Sequence, residues 1–220
     1  MSKSTRMAFI CDDKLYYKFY TFEFASGFAI SQKRKNINSF HEEIKKDGIV
    51  NVLEVSRKNE NEIGILLSAF NLMLTIENKK YPVECIYQSS KRFGDVQYNE
   101  CQYMDPAEAK KYIKEKVENN NLCLTEFRFA NKSFSLNPKS MFYDYLYIYA
   151  LSQNMELAIK ILNYECFTDI EFNHKKQYAS QARSCAIFKY LFINNQVEDF
   201  LDNPFKYEHL YLNLQENGLF

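Results

Sequence analysis

The second half of this chain carries a succession of helix-start signals, and they constrain its fold more than any other feature. Asp105-Pro106 supplies an N-cap and a first-turn proline, predicting a helix through about Val117 that ends at Asn119-Asn-Asn121. Asn137-Pro138 repeats the signal before MFYDYLYIYALSQ, and Asn154 can cap MELAIKILNY. The stretch from Ser180 to Leu191 reads as a further helix, and residues 196–220 as a less patterned helix with a tail. Short connections make such helices packed neighbours. FTDIEFN, residues 167–173, interrupts them as an extended or loop-like segment.

The first half reads differently. LYYKFYTFEFASGFAIS, residues 15–31, mixes aromatic and β-branched residues around a Ser26-Gly27 break, which predicts a hairpin or two short strands. The basic cluster Gln32-Lys-Arg-Lys-Asn36 follows, then a short helix with Ser39 and Glu42 as a capping-box pair and Gly48 as its stop. Residues 49–55 read as a strand ending at Ser56-Arg57-Lys58. EIGILLSAFNLML, residues 62–74, is apolar nearly all round and therefore buried, as helix or turn, and Glu77-Asn-Lys-Lys80 is a polar turn. Without a repeat, low-complexity stretch or linker, residues 1–220 read as a single α+β domain, mainly helical with a small N-terminal antiparallel sheet.

Composition excludes several function classes. With only five glycines, neither GxGxxG nor GxxxxGK[ST] occurs, so bound phosphates would need side chains or helix N-termini. Lysine plus arginine and aspartate plus glutamate are both 28, which argues against a constitutive, charge-driven nucleic-acid binder but leaves room for a local patch. No apolar run approaches the about 18 residues of a membrane span, and the N-terminus has no signal-peptide core. Six scattered cysteines without a CxxC pair read as reduced thiols of a cytoplasmic chain. His41, His174 and His209 have no metal-ligand spacing, so no metal and no cofactor are expected.

One stretch poses a sharper question. In YPVECIYQSSKRF, residues 81–93, Glu84, Gln88 and Lys91 stand at i, i+4 and i+7, which at about 100° per residue puts them on one side of a helix. Val83, Ile86 and Phe93 gather roughly opposite. Spacing alone allows a solvated face or the floor of a site.

An ordered set of segments bears on that choice. They are Phe28-Ala-Ile-Ser-Gln-Lys33, Leu53-Glu-Val-Ser56 with Lys58, Leu67-Ser-Ala-Phe-Asn71, Val83-Glu-Cys-Ile-Tyr-Gln-Ser-Ser-Lys91, Phe142-Tyr-Asp-Tyr-Leu-Tyr147, Phe167-Thr-Asp-Ile-Glu-Phe-Asn173 and Ser180-Gln-Ala-Arg-Ser184. Together they resemble the NADAR (YbiA-like) family, specifically its branch of antitoxins associated with DarT toxins, from about residue 18 to about residue 192. The chain departs from the family pattern in Arg57, where a small residue is expected, in His174, where proline is expected, and in having no tryptophan. The resemblance implies an ADP-ribosyl hydrolase that removes ADP-ribose from guanosine bases in DNA, with ADP-ribose as product and a DarT toxin as functional partner. The competing reading is a non-enzymatic antitoxin, or an ADP-ribose-binding module, that neutralises a toxin by binding.

Cleaving a guanine–ribose C–N bond requires a stabilised leaving group, compensation or trapping of charge at the ribose carbon, and a fixed pyrophosphate. Glu84 is the candidate catalytic carboxylate. Lys58, after a strand end, and Lys91 are candidates for a Schiff-base nucleophile or a phosphate clamp, and the residues do not rank them. Ser68 and Asn71 either cap a local turn or face ligand, and Phe70 is core or a stacking platform. Asp169 and Glu171 share a face if their segment is extended, with Ile170 and Phe172 pointing away, and either bind ribose hydroxyls or pair with Arg183. Gln88, Gln181 and Arg183 complete the expected ligand-binding set. Lys33, Arg34 and Lys35 are a solvated face or DNA-backbone contacts. The tyrosine-rich stretch 141–150 reads as packing.

Overall fold

Alternation along the first strand sets the order of layers in the computed structural model, which describes residues 2–215, the last four by their backbone alone. β1 (Ser2–Cys11) pairs along its whole length with β2 (Leu15–Phe24), from Ser2 opposite Phe24 to Cys11 opposite Leu15. Successive strand side chains point to opposite faces. Met7, Phe9 and Cys11 therefore join one core cluster, while Ala8 and Ile10 join another. The second face is covered by α1 (Ile30–Lys45), whose Ile37, Phe40 and Ile44 form its apolar stripe. Phe40 stacks on Phe22 with ring centroids 4.9 Å apart.

Two local expectations change here. Residues 15–24 form a single strand whose partner is residues 2–11, and α1 begins at Ile30, nine residues before Ser39. Ser39 and Glu42 lie inside the helix, and Ala29 is its N-cap without a side-chain cap bond. The basic cluster accommodates this because Lys33, Arg34 and Lys35 keep contact with solvent while Asn36 turns inward to bond Ala25. Gly48, at φ +84°, lies just beyond the end of α1 in the backbone region that glycine adopts most easily.

Beyond α1 the chain runs through β3 (Val52–Glu54), α2 (Glu62–Leu66) and the hairpin of β4 (Met73–Ile76) and β5 (Lys79–Pro82). Glu77 and Asn78 both have positive φ, as a tight two-residue hairpin turn demands. α3 (Val83–Ser89) follows directly, then β6 (Lys91–Phe93) and β7 (Val96–Gln97). Asp105 caps α4 (Pro106–Asn120), its Oδ1 accepting from the Ala107 N–H at 2.8 Å. β8 (Glu126–Phe129) and β9 (Lys132–Phe134) extend the small sheet in the order β7-β6-β8-β9. α5 (Met141–Ser152), α6 (Met155–Ile161), β10 (Cys166–Thr168), α7 (Gln181–Ile193), α8 (Val197–Asp202) and α9 (Glu208–Gln215) complete the described chain.

β10 decides how the halves join. It inserts between β1 and β3, antiparallel to the first and parallel to the second, giving a sheet of order β2-β1-β10-β3. Leu53 and Phe167 face the larger cluster, where α5 and α7 pack with Tyr147, Cys185 and Phe188. The result is the expected α+β fold, with its N-terminal antiparallel hairpin widened by two strands from distant segments. No helix among the described residues is long and apolar enough to cross a membrane.

Candidate functional site

Where β3 and β10 end side by side, their following loops form one wall of a cavity of about 780 Å³, within the size range of small-molecule sites. The β3 loop contributes Ser56, Arg57 and Lys58, and the turn after α2 contributes Ser68 and Phe70. α3 forms the floor. Glu84 is only 6% exposed, and its Oε1 accepts from Gln88 Nε2 at 2.8 Å. Gln88 Oε1 in turn accepts from Lys91 Nζ at 2.8 Å. The one-sided stripe is thus a continuous hydrogen-bonded chain turned into the cavity. Lys91 completes it from β6, since α3 ends at Ser89.

Lys91 is also the most perturbed cation of the site. Burial, reinforced by Lys110 and opposed by Glu84, pushes its ammonium down to about 8. Its Nζ lies 4.8 Å from the Tyr87 ring centroid. Lys58, also partly buried, lines the same cavity from the β3 loop. Six basic side chains (Arg57, Lys58, Lys91, Lys110, Lys139 and Lys176) face three carboxylates (Glu84, Asp169 and Glu171), so the cavity favours an anionic ligand. The Arg57 guanidinium lies 4.1 Å over the Phe70 ring, and both side chains line the cavity.

The other half of that wall is the β10–α7 connection. Residues after Thr168 turn rather than extend: the Glu171 N–H donates to Asp169 Oδ1 at 3.1 Å and the Phe172 N–H to the Asp169 carbonyl at 3.0 Å. Asp169 and Glu171 both line the cavity, but so does Phe172, which an extended segment would have pointed away. Burial, then the nearby Glu54 charge, holds the Asp169 carboxyl well above the usual range. Glu54 is itself fully buried and anchors the loop. Its Oε2 accepts from Thr168 Oγ1 at 2.7 Å and its Oε1 from the Ile170 N–H at 2.8 Å. His41 Nε2 stands 2.8 Å from Thr168 Oγ1. Burial pushes His41 down to about 4, so the neutral ring donates to a hydroxyl that is itself donating to Glu54.

The remaining expected site residues are placed as follows. Gln181 reaches the cavity, but its amide is a strut: Oε1 accepts from the Ala69 N–H at 2.9 Å and Nε2 donates to the Val55 carbonyl at 2.5 Å. It holds the β3 loop and the Phe70 turn at a fixed separation. Gln181→Ala is expected to lower the free energy of unfolding by about 1–3 kcal/mol, because two backbone groups lose their partner, and urea denaturation would measure it. Asn71 is not among the cavity residues; its Nδ2 bonds the Ile65 carbonyl at 2.8 Å, closing the local turn. Arg183 is also outside the cavity. It is 2% exposed and pairs with Asp144 at 3.0 Å, not with Asp169 or Glu171, because α7 turns it toward α5. Lys33 bonds Glu171 at 3.0 Å on the rim, Arg34 pairs with Glu60 at 3.3 Å away from the cavity, and Lys35 is exposed.

Tyr87, Lys110, Lys139, Tyr143 and Tyr178 line the cavity without having been singled out. Tyr143 belongs to the tyrosine-rich helix, which otherwise packs in the core; its ring meets Tyr87 edge-on at 5.0 Å. No spacing rule separates it from its neighbours. Among the described residues no group of His, Cys, Asp and Glu is arranged to hold a metal.

Fold and cavity together define an α+β protein with a cationic, aromatic-walled cavity and a buried carboxylate–amide–lysine chain. The chain belongs to the family of DarT1-associated NADAR antitoxins, which it matches over residues 4–218. That membership ties it to an antitoxin role beside a DarT toxin. No curated protein matches it.

Proposed function

We propose that this chain is an ADP-ribosyl hydrolase that cleaves the N-glycosidic bond between ADP-ribose and guanosine bases in DNA, and so reverses a DarT toxin in the cytoplasm. The observation that carries this reading is the Glu84–Gln88–Lys91 chain on the floor of a cation-rich cavity, in a member of that antitoxin family. The excess of lysines suits a pyrophosphate, with Lys58, Lys110, Lys139 and Lys176 available to hold it. The Arg57–Phe70 platform offers a flat surface for an adenine or guanine ring.

Glu84 then offsets the positive charge that develops at the ribosyl carbon as the bond to guanine breaks. Asp169, held toward its protonated form, donates to the departing guanine nitrogen. Lys91 is the nucleophile. Its amine displaces guanine from the ribosyl carbon, and guanine leaves with the donated proton. The glycosylamine so formed passes its N–H proton to the ring oxygen as the ring C–O bond opens to the iminium, and water hydrolyses this to release ADP-ribose and the free lysine. Lys58 binds phosphate on this reading.

The decisive experiment gives purified protein an oligonucleotide carrying ADP-ribosylated guanosine and follows ADP-ribose release. Tight calorimetric binding of ADP-ribose without release would replace hydrolysis by a reader function. Neither binding nor release, with a stable toxin complex, would leave neutralisation by contact. The pH profile tests Lys91 separately. An amine attacks only when deprotonated, so the rate should climb as Lys91 loses its proton towards about pH 8, and it should fall on the alkaline side as Asp169, the proton donor, ionises. Lys91→Arg should abolish turnover and the borohydride-trapped adduct, whereas retention of both would move the role to Lys58.

A further inference from the structure

We propose that Phe28 is a wedge that enters the base stack of DNA beside the cavity mouth, filling the gap left by a base turned into the site. The proposal rests on the reading above that the substrate is a modified guanosine carried in DNA. Phe28 is 99% exposed. Phenylalanine ordinarily gains by burial, and here the surrounding structure holds it out in solvent. At the base of its loop, buried Asn36 clamps Ala25 on both sides: Oδ1 accepts the Ala25 N–H at 2.7 Å and Nδ2 donates to the Ala25 carbonyl at 3.0 Å. Gly27 turns the chain at φ +131°, a conformation side-chain-bearing residues rarely adopt. At the other end the Ala29 carbonyl accepts from the Gln32 and Lys33 N–H groups at 3.0 and 3.1 Å, starting α1. Phe28 therefore sits on a short projection pinned at both ends, with half-exposed Ile30 beside it.

The same projection adjoins the cavity. Lys33, one helical turn further on, contacts Glu171 on the rim. Lys33, Arg34 and Lys35 follow Phe28 in the first turns of α1, and a phosphate can displace Glu171 from the partly exposed Lys33 pair on the rim. The strand on either side of a base lodged in the cavity must cross the rim. Extracting that base opens a gap of the kind that apolar side chains fill in DNA-bending proteins.

The test compares wild type with Phe28→Ala, which removes no buried contact, on three substrates: the ADP-ribosylated nucleoside, a single strand and a duplex. Release from the nucleoside should stay within about twofold of wild type while release from duplex falls on the order of 10-fold or more, because unstacking is no longer compensated. Phe28→Trp should keep the duplex rate. Equal losses on nucleoside and duplex, or an unchanged duplex rate, overturn the proposal. A readout without turnover uses 2-aminopurine placed beside the modified guanine in the duplex: it should brighten with wild type and stay dim with Phe28→Ala. If wild type releases ADP-ribose from no substrate, the hydrolase reading fails, and this fluorescence still decides the wedge. Toxin co-purification that depends on Phe28, with both DNA readouts unaltered, overturns it in favour of a protein-docking surface.

Discussion

Replacing Glu84 with glutamine is expected to reduce ADP-ribose release from an ADP-ribosylated guanosine oligonucleotide by about 10²–10⁴-fold, the range in which a positioned acid–base or charge-stabilising group contributes. Glutamine is nearly isosteric, and its amide oxygen can still accept from Gln88 Nε2, the contact that Glu84 makes at 2.8 Å. The floor of the cavity should therefore keep its shape while losing one negative charge. That separates chemistry from folding: the denaturation midpoint should stay where it was while kcat collapses. Binding of free ADP-ribose should change less than turnover, since the carboxylate is needed most when charge appears at the ribosyl carbon. A variant with wild-type turnover would remove Glu84 from the mechanism. Loss of turnover together with a large drop in stability would instead assign it a packing role.

The largest effect on stability is expected at Arg183. Its guanidinium pairs with fully buried Asp144 at 3.0 Å, also donates to the Tyr178 carbonyl at 2.7 Å, and shares Asp144 with the Ser184 hydroxyl at 2.6 Å. Arg183→Ala leaves the buried Asp144 carboxyl without its counter-ion in the core between α5 and α7, and should cost about 3–5 kcal/mol. For a chain of this size that corresponds to a fall in melting temperature on the order of 10 °C. Joint replacement of Asp144 and Arg183 by leucine should cost less than Arg183→Ala alone, because no buried charge then lacks its partner. Urea titration of the three proteins measures this. A single-variant loss below about 1 kcal/mol would show the pair to be as weak as a surface ion pair.

The two arginines in the family-like segments illustrate what the residues could and could not convey. Arg183 stands in SQARS near residues that do line the cavity, yet its rotation about α7 turns it to Asp144. Neighbourhood in sequence says nothing about which face of a helix buried nearly all round a polar group occupies, since such a helix has no solvent side to set the phase. Arg57 departs from the family pattern in a loop, and stacks on Phe70 to form one wall of the site. A single substituted residue carries no periodicity from which a partner thirteen positions away could be read. The start of α1 was hidden for a related reason. Its N-cap is Ala29, without a capping side chain, so only packing against the hairpin shows where the helix begins.

The Glu84–Gln88–Lys91 stripe was legible because helical geometry alone brings i and i+4 together, and Lys91 is long enough to reach back after the helix has ended. The sequence by itself also determined the helical second half, through Asp105-Pro106 and the following start signals, and the ordered motifs that place the chain in its family. Those are local properties, settled by backbone sterics, capping and spacing. Tertiary structure alone decided that the stripe faces inward, that β10 inserts between β1 and β3, and that Asp169 is brought to the site beside buried Glu54. Strand pairing across more than 100 residues depends on which buried surfaces fit together (Cys166 opposite Val52, Thr168 opposite Ala8), and that complementarity exists only once the chain has folded.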